Sequence, residues 1–130
     1  QLLLVEDNLV DVRTIRSALQ KELDIPYQLI HAGSLAQALA VLRKQPIDVV
    51  LLDIQLPDSS GLEVINKIRS VSAMVPIVVL TASDDDGMAI QSLQRGAQDY
   101  LVKGYVQVYR NLLRRSIRYA IERSQAEQAV

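Results

Sequence analysis

Short apolar runs alternate with stretches of helical periodicity along the whole chain. Leu2-Leu3-Leu4-Val5 reads as a buried strand, after which Val12, Ile15, Leu19 and Leu23 recur at helical spacing. Tyr27 to Ile30 predicts a second strand. Ser34 is placed to cap a helix whose apolar face is Leu35, Leu39 and Leu42. Ile47 to Leu52, Val-rich and apolar on both faces, predicts a third strand, and Leu62, Ile65 and Ile68 mark a helix after Gly61. Ile77 to Leu80 predicts a fourth strand behind Pro76. Ser83 or Asp84 then caps a helix with Ile90 and Leu93 inward, ended by Gly96. Tyr100 to Val102 is a short fifth strand. One long helix is expected from about Val106 to the end, with Tyr109, Leu113, Ile117 and Ala120 on its core face.

Five strands alternating with five helices imply right-handed βαβ crossovers on a parallel sheet. Continuous apolar runs, rather than alternating ones, put helices on both sheet faces. The fold class is therefore α/β and doubly wound. No repeat, low-complexity segment or internal linker divides the 130 residues. A domain of that length buries about two thirds of its unfolded surface, enough for a core without staples.

Composition narrows the chemistry. With 49% hydrophobic and 22% charged residues, the chain is not a disordered one. A net charge of −1 speaks against direct nucleic-acid binding by this domain. The absence of cysteine excludes disulfides, thiol nucleophiles and cysteine metal sites, and permits a cytoplasmic address. A single histidine, His31, excludes multi-histidine zinc sites and is read as an ordinary edge residue. No apolar run is long enough to span a membrane. The chain begins at Gln1 and stops within a helical pattern, so a piece of a longer protein is expected.

In an open α/β sheet, ligands bind beyond the carboxyl ends of the strands. The polar residues collect there: Glu6-Asp7 after the first strand, Asp53 after the third, Thr81 after the fourth and Lys103-Gly104 after the fifth. A lone acid at a strand end is ordinarily a helix cap or a solvated loop residue. Three acids together repel one another, and the cluster makes sense around a hard divalent cation such as Mg²⁺. Lysine and threonine opposite would hold an anion that the metal also binds.

Leu4-Val5-Glu6-Asp7-Asn8, Val50 to Asp58, Val79-Leu80-Thr81-Ala82 and Gly96 to Gly104 resemble, in order and spacing, the signature segments of response-regulator receiver domains. The resemblance reaches to about Arg123 and implies a (βα)5 fold with the flavodoxin-like strand order 2-1-3-4-5. It implies that Asp53 is the phosphoacceptor, and that Glu6, Asp7 and Asp53, with the backbone carbonyl of Gln55, bind Mg²⁺. It further implies that Thr81 hydrogen-bonds the phosphoryl group, that Lys103 pairs with it, and that Tyr100 is the aromatic switch. Pro57 and Gly61 match the residues that shape the loop after the phosphoacceptor. The implied partners are a sensor histidine kinase or phosphotransfer protein and a C-terminal output domain, switched through the face of the fourth helix, fifth strand and fifth helix. Such a domain is not a turnover enzyme on an external substrate. It catalyses only its own aspartyl phosphorylation and dephosphorylation.

Gly104 stands where the family commonly has proline. A trans Lys103–Gly104 peptide is expected, with glycine's wide dihedral range re-aiming the lysine. Residues 1–123 are assigned to the receiver and 124–130 to the start of a connecting helix. From Val106 to Val130 that helix would be about 37 Å long. Beyond Ile121 it is rich in helix formers that bury little, and it would pair with its twin in a homodimer as a short coiled coil. Asp84-Asp85-Asp86 reads as a helix start and Asp58-Ser59-Ser60 as a solvated turn. Arg110, Arg114, Arg115, Arg118 and Arg123 form a solvated or partner-facing surface. Three rivals remain: a haloacid-dehalogenase-type phosphatase, which would want an acid at Gln55; a degenerate docking module; and a flavin binder, which would need a phosphate loop where Glu6-Asp7-Asn8 stands.

Overall fold

A computed structural model describes residues 1–23, 26–59, 61–82 and 85–128, without the side chain of Asp86. The elements follow the expected alternation: β1 (Leu2–Val5), α1 (Leu9–Glu22), β2 (Leu29–Ala32), α2 (Leu35–Lys44), β3 (Val49–Asp53), α3 (Glu63–Val71), β4 (Ile77–Thr81), α4 (Asp86–Gln94), β5 (Asp99–Val102), α5 (Lys103–Val108) and α6 (Leu112–Gln128). The five strands are all parallel, in the order β2-β1-β3-β4-β5.

Because successive strand side chains point to opposite faces, each apolar run feeds two cores. Leu3, Val5, Val50, Leu52 and Val79 join Leu35 and Ala38 of α2 and Val64, Ile65 and Ile68 of α3 on one face. Leu2, Leu4, Val49, Leu51, Val78 and Leu80 join Val12, Ile15 and Leu19 of α1, Val106 of α5, and Leu113, Ile117 and Ala120 of α6 on the other. Both faces are buried under helices, as the unbroken apolar runs require.

Several expectations are corrected. β2 lies two residues later than the apolar run suggested, so His31 falls inside it. α4 is capped by Asp85, whose side chain accepts the Met88 N–H, while Ser83 and Asp84 lie outside the described residues. Ile90 and Leu93 face solvent rather than the core, at 57% and 47% exposure. Ser92 is buried instead, and the turn at Gly96 (φ 102°) folds the chain back so that the Ala97 N–H donates to the Ser92 carbonyl. Asp58 is no idle turn residue. It accepts the Leu35 and Ala36 N–H groups at 2.9 and 3.0 Å, which lowers its pKa, and so caps α2 alongside Ser34.

The expected single C-terminal helix is two. α5 ends at Val108, with Tyr109 as its C-cap, and the chain passes through Asn111 at φ 65° before α6 begins. Asparagine tolerates the left-handed region, which makes it suited to such a break. Tyr109 is thereby turned out to solvent, while Leu113, Ile117 and Ala120 keep their core positions. α6 runs on unbroken past Arg123 to Gln128. Ser124 is buried there, with its hydroxyl donating to the Met74 carbonyl at 2.8 Å. No helix among the described residues is long and apolar enough to cross a membrane.

Candidate functional site

Parallel pairing brings the strands' carboxyl ends to one edge, and register decides which residues meet there. Val5 pairs with Leu52, Asp53 with Leu80, and Thr81 with Val102. Glu6 therefore follows β1 beside Asp53, and Lys103 follows β5 beyond Thr81. Glu6, Asp53 and Thr81 are all buried, at 1%, 6% and 8% exposure.

The Lys103 ammonium lies among three carboxylates. It is 2.6 Å from Glu6 Oε2, 2.8 Å from Asp11 Oδ2 and 3.2 Å from Asp53 Oδ2. Burial alone would lower the lysine's pKa, but the carboxylates reverse this, Asp11 foremost, and hold it above its ordinary value. Glu6 shows the converse: burial pushes its carboxyl up to about 7 despite the Lys103 contact, and the nearby Asp53 adds to the rise. The remaining oxygens are held by backbone. The Asn8 N–H donates to Glu6 Oε1 at 3.1 Å, and the Gln55 N–H to Asp53 Oδ1 at 2.9 Å. On the far side of the Glu6 peptide, His31 Nε2 contacts the Glu6 carbonyl at 2.7 Å and steadies the loop.

Glu6, Asp7 and Asp53 offer carboxylate oxygens within 4.8 Å of one another, with Asp7 exposed. An all-oxygen set of this size and charge fits a hard divalent cation. A Glu6 carboxyl that one ammonium does not keep fully ionised at neutral pH fits it too. The fold thus gathers Glu6, Asp7, Asp53 and Lys103 at the site. Thr81 is buried at the end of β4. The Gln55 side chain is exposed, and its contribution here is the N–H. Tyr100, half-buried on β5, packs against the core beneath α2 and α3. The Lys103–Gly104 peptide is trans, since no described peptide is cis. Gly104 is not at positive φ, however, and it continues the first turn of α5. Helix initiation, not glycine's dihedral freedom, aims the lysine.

Asp11 was not anticipated. Its signal was its place one turn beyond Asp7, in a first turn that Asn8 Oδ1 fixes by accepting the Val10 and Asp11 N–H groups.

The family model for the response regulator receiver domain matches residues 2–118. The chain belongs to that family. Among curated receiver-containing relatives, the probable transcriptional regulatory protein TcrX of Mycobacterium tuberculosis is 38% identical over 104 residues, covering 80% of this chain and 43% of that protein. The transcriptional regulatory protein AfsQ1 of Streptomyces coelicolor is 39% identical over 103 residues, covering 78% and 44%. The alginate biosynthesis regulator AlgB of Pseudomonas putida is matched over only 22% of its length, so the chain spans less than half of these relatives. Among solved structures, the receiver domain of a Pseudomonas aeruginosa sensor histidine kinase, with a magnesium ion coordinated in its active-site cleft, is 32% identical with a TM-score of 0.77. That match covers 93% of this chain and 96% of the other. A CheY-like receiver from Methanospirillum hungatei, at 23% identity and a TM-score of 0.79 over 97% and 96%, shares the receiver fold.

Proposed function

We propose that this receiver takes a phosphoryl group onto Asp53 from a phosphohistidine on a sensor histidine kinase or phosphotransfer protein. The observation that carries this is the setting of Asp53: a buried carboxylate, one oxygen fixed by the Gln55 N–H and the other facing Lys103, within an acidic cluster. An Asp53 oxygen attacks phosphorus, the P–O bond forms as the P–N bond breaks, and the electron pair leaves with the imidazole, which takes up a proton. Bound Mg²⁺, held by Glu6, Asp7, Asp53 and the Gln55 carbonyl, would neutralise charge on the transferring group. Lys103 neutralises it from another side, and the Thr81 hydroxyl donates to a phosphoryl oxygen. Water later attacks the acyl phosphate and returns Asp53 and inorganic phosphate. Gln55, in place of a second acid, disfavours steady phosphatase turnover.

In the phosphorylated state Thr81 moves toward the phosphoryl oxygens and Tyr100 turns into the vacated space, altering the α4-β5-α5 face. That change passes to a C-terminal output domain through the helix beyond Arg123, with residues 1–123 as the receiver. The setting is cytoplasmic two-component phosphorelay signalling. The test is incubation with a small phosphodonor and Mg²⁺, followed by intact mass. Wild type should gain one phosphate and Asp53→Asn none; equal labelling of both removes the assignment.

A further inference from the structure

Lys103 has three N–H donors; its ammonium donates to Asp11 Oδ2 and Asp53 Oδ2 and forms an ion pair with Glu6 Oε2. Two of these partners, Glu6 and Asp53, are also members of the oxygen cluster that suits a cation. Asp11 is not. A cation drawn between Glu6, Asp7 and Asp53 competes with Lys103 for the oxygens of both shared partners. Asp11 is then the one carboxylate whose charge the lysine does not divide with the metal. Its own position is set by the first turn of α1, where the capping Asn8 Oδ1 accepts the Asp11 N–H at 3.1 Å. The pair also borders a cleft of about 210 Å³ between α1 and α5, and the Asp11 side chain is one third exposed. Shortening Asp11 therefore opens no hole in the core.

We propose that Asp11 is a positioning residue for Lys103, keeping one of its N–H groups when Glu6 and Asp53 turn to a cation and leaving the other two aimed at the phosphoryl group on Asp53. The inference rests on the phosphoryl-transfer reading above. A flexible four-carbon stem with a compact charge loses its aim easily, so a fixed anion on one side raises the fraction of lysine conformers that face the site. Asp11 touches no reacting atom in this scheme. It acts through Lys103 alone.

The test uses Asp11→Ala, which removes the acceptor, and Asp11→Asn, which keeps an oxygen without the charge. At saturating Mg²⁺, labelling by a small phosphodonor should slow by about tenfold in Asp11→Ala, with Asp11→Asn between it and wild type. In a Lys103→Ala background the same Asp11→Ala change should alter the rate by less than about twofold, because the group it positions is gone. An equal slowing in both backgrounds overturns the proposal, as does an unchanged rate in the single variant. A second readout needs no phosphorylation. With Mg²⁺ bound, the Lys103 Nζ ammonium signal in a proton–nitrogen NMR spectrum should be seen in wild type and lost to solvent exchange in Asp11→Ala. If that signal is lost but wild type takes no label, the positioning stands and the phosphoryl-transfer reading falls. If the signal persists in Asp11→Ala, the positioning is wrong whatever the labelling shows.

Discussion

The Lys103 ammonium lies 2.6 Å from Glu6 Oε2, yet Glu6 is harder to ionise than an ordinary glutamate, its pKa pushed by burial from 4.5 to about 7. One ammonium is divided among three acids, and it does not offset the loss of water around a carboxylate that is 1% exposed.

The sign of the pH effect follows. Between pH 4.5 and about 7 the folded chain holds a proton on Glu6 that the unfolded chain has released. The stabilisation is complete below 4.5 and is lost as pH rises through about 7, on the order of 3 kcal/mol in the metal-free protein. Urea unfolding in chelator at pH 5 and pH 8 should show the loss in wild type, and Glu6→Gln should flatten it. Divalent binding requires the ionised form, so Mg²⁺ affinity should fall by about tenfold per pH unit below that pKa. A pH-independent affinity between 5.5 and 7, on the order of one proton's range, would remove Glu6 from the binding set.

Much of the fold was legible because register and period are strict. An apolar run such as Val49 to Leu52 commits both strand faces to cores, and parallel strands carry Glu6, Asp53, Thr81 and Lys103 to one edge by topology alone. What was illegible depended on rotation or on distant partners. Ile90 and Leu93 have core-like spacing, but α4 turns Met88 and Ser92 inward and leaves them outside. Asp58 meets α2 across 23 residues of sequence, which no local pattern reveals. Asp11 meets Lys103 across 92 residues of sequence, where α1 packs against α5.

The break between α5 and α6 was hidden for a related reason. Val106 and Leu113 are seven residues apart, a spacing one continuous helix would serve equally well. The two structures predict opposite mutant behaviour. With Asn111 at φ 65°, Asn111→Gly should be near neutral, and Asn111→Val should cost about 1–2 kcal/mol through a β-branched residue in the left-handed region. In a continuous helix, Gly would be the costly change and Val the mild one. Chemical denaturation of the two variants decides.

Gly104 invites a different substitution. It sits in the first turn of α5, not at positive φ, and a Cβ built on it meets nothing within 4 Å. Gly104→Ala should therefore stabilise the protein by about 0.5–1 kcal/mol, through the entropy that glycine loses on entering a helix. A destabilised variant would mean that the turn after Lys103 needs dihedral angles closed to alanine.

The end of α6 bears on where the receiver stops. Composition after Ile121 suggested a helix that buries little, and Gln125 through Gln128 are indeed exposed. Ser124 is the exception. At 2% exposure it donates its hydroxyl to the Met74 carbonyl in the loop between α3 and β4, 2.8 Å away and 50 residues earlier. That contact ties the first residue assigned to the connecting helix to the far side of the sheet from the carboxylate cluster. If α6 carries the signal outward as proposed, this contact anchors it at its base. Ser124→Ala removes the donor and leaves the Met74 carbonyl without it, at a cost of about 1 kcal/mol. Truncation after Arg123 should cost at least as much, and amide exchange along 121–128 should quicken in the point variant while α1 and β1 keep their protection. If Ser124→Ala unfolds at the wild-type urea midpoint with unchanged exchange, the helix past Arg123 is not held by the receiver, and its base lies further back along α6.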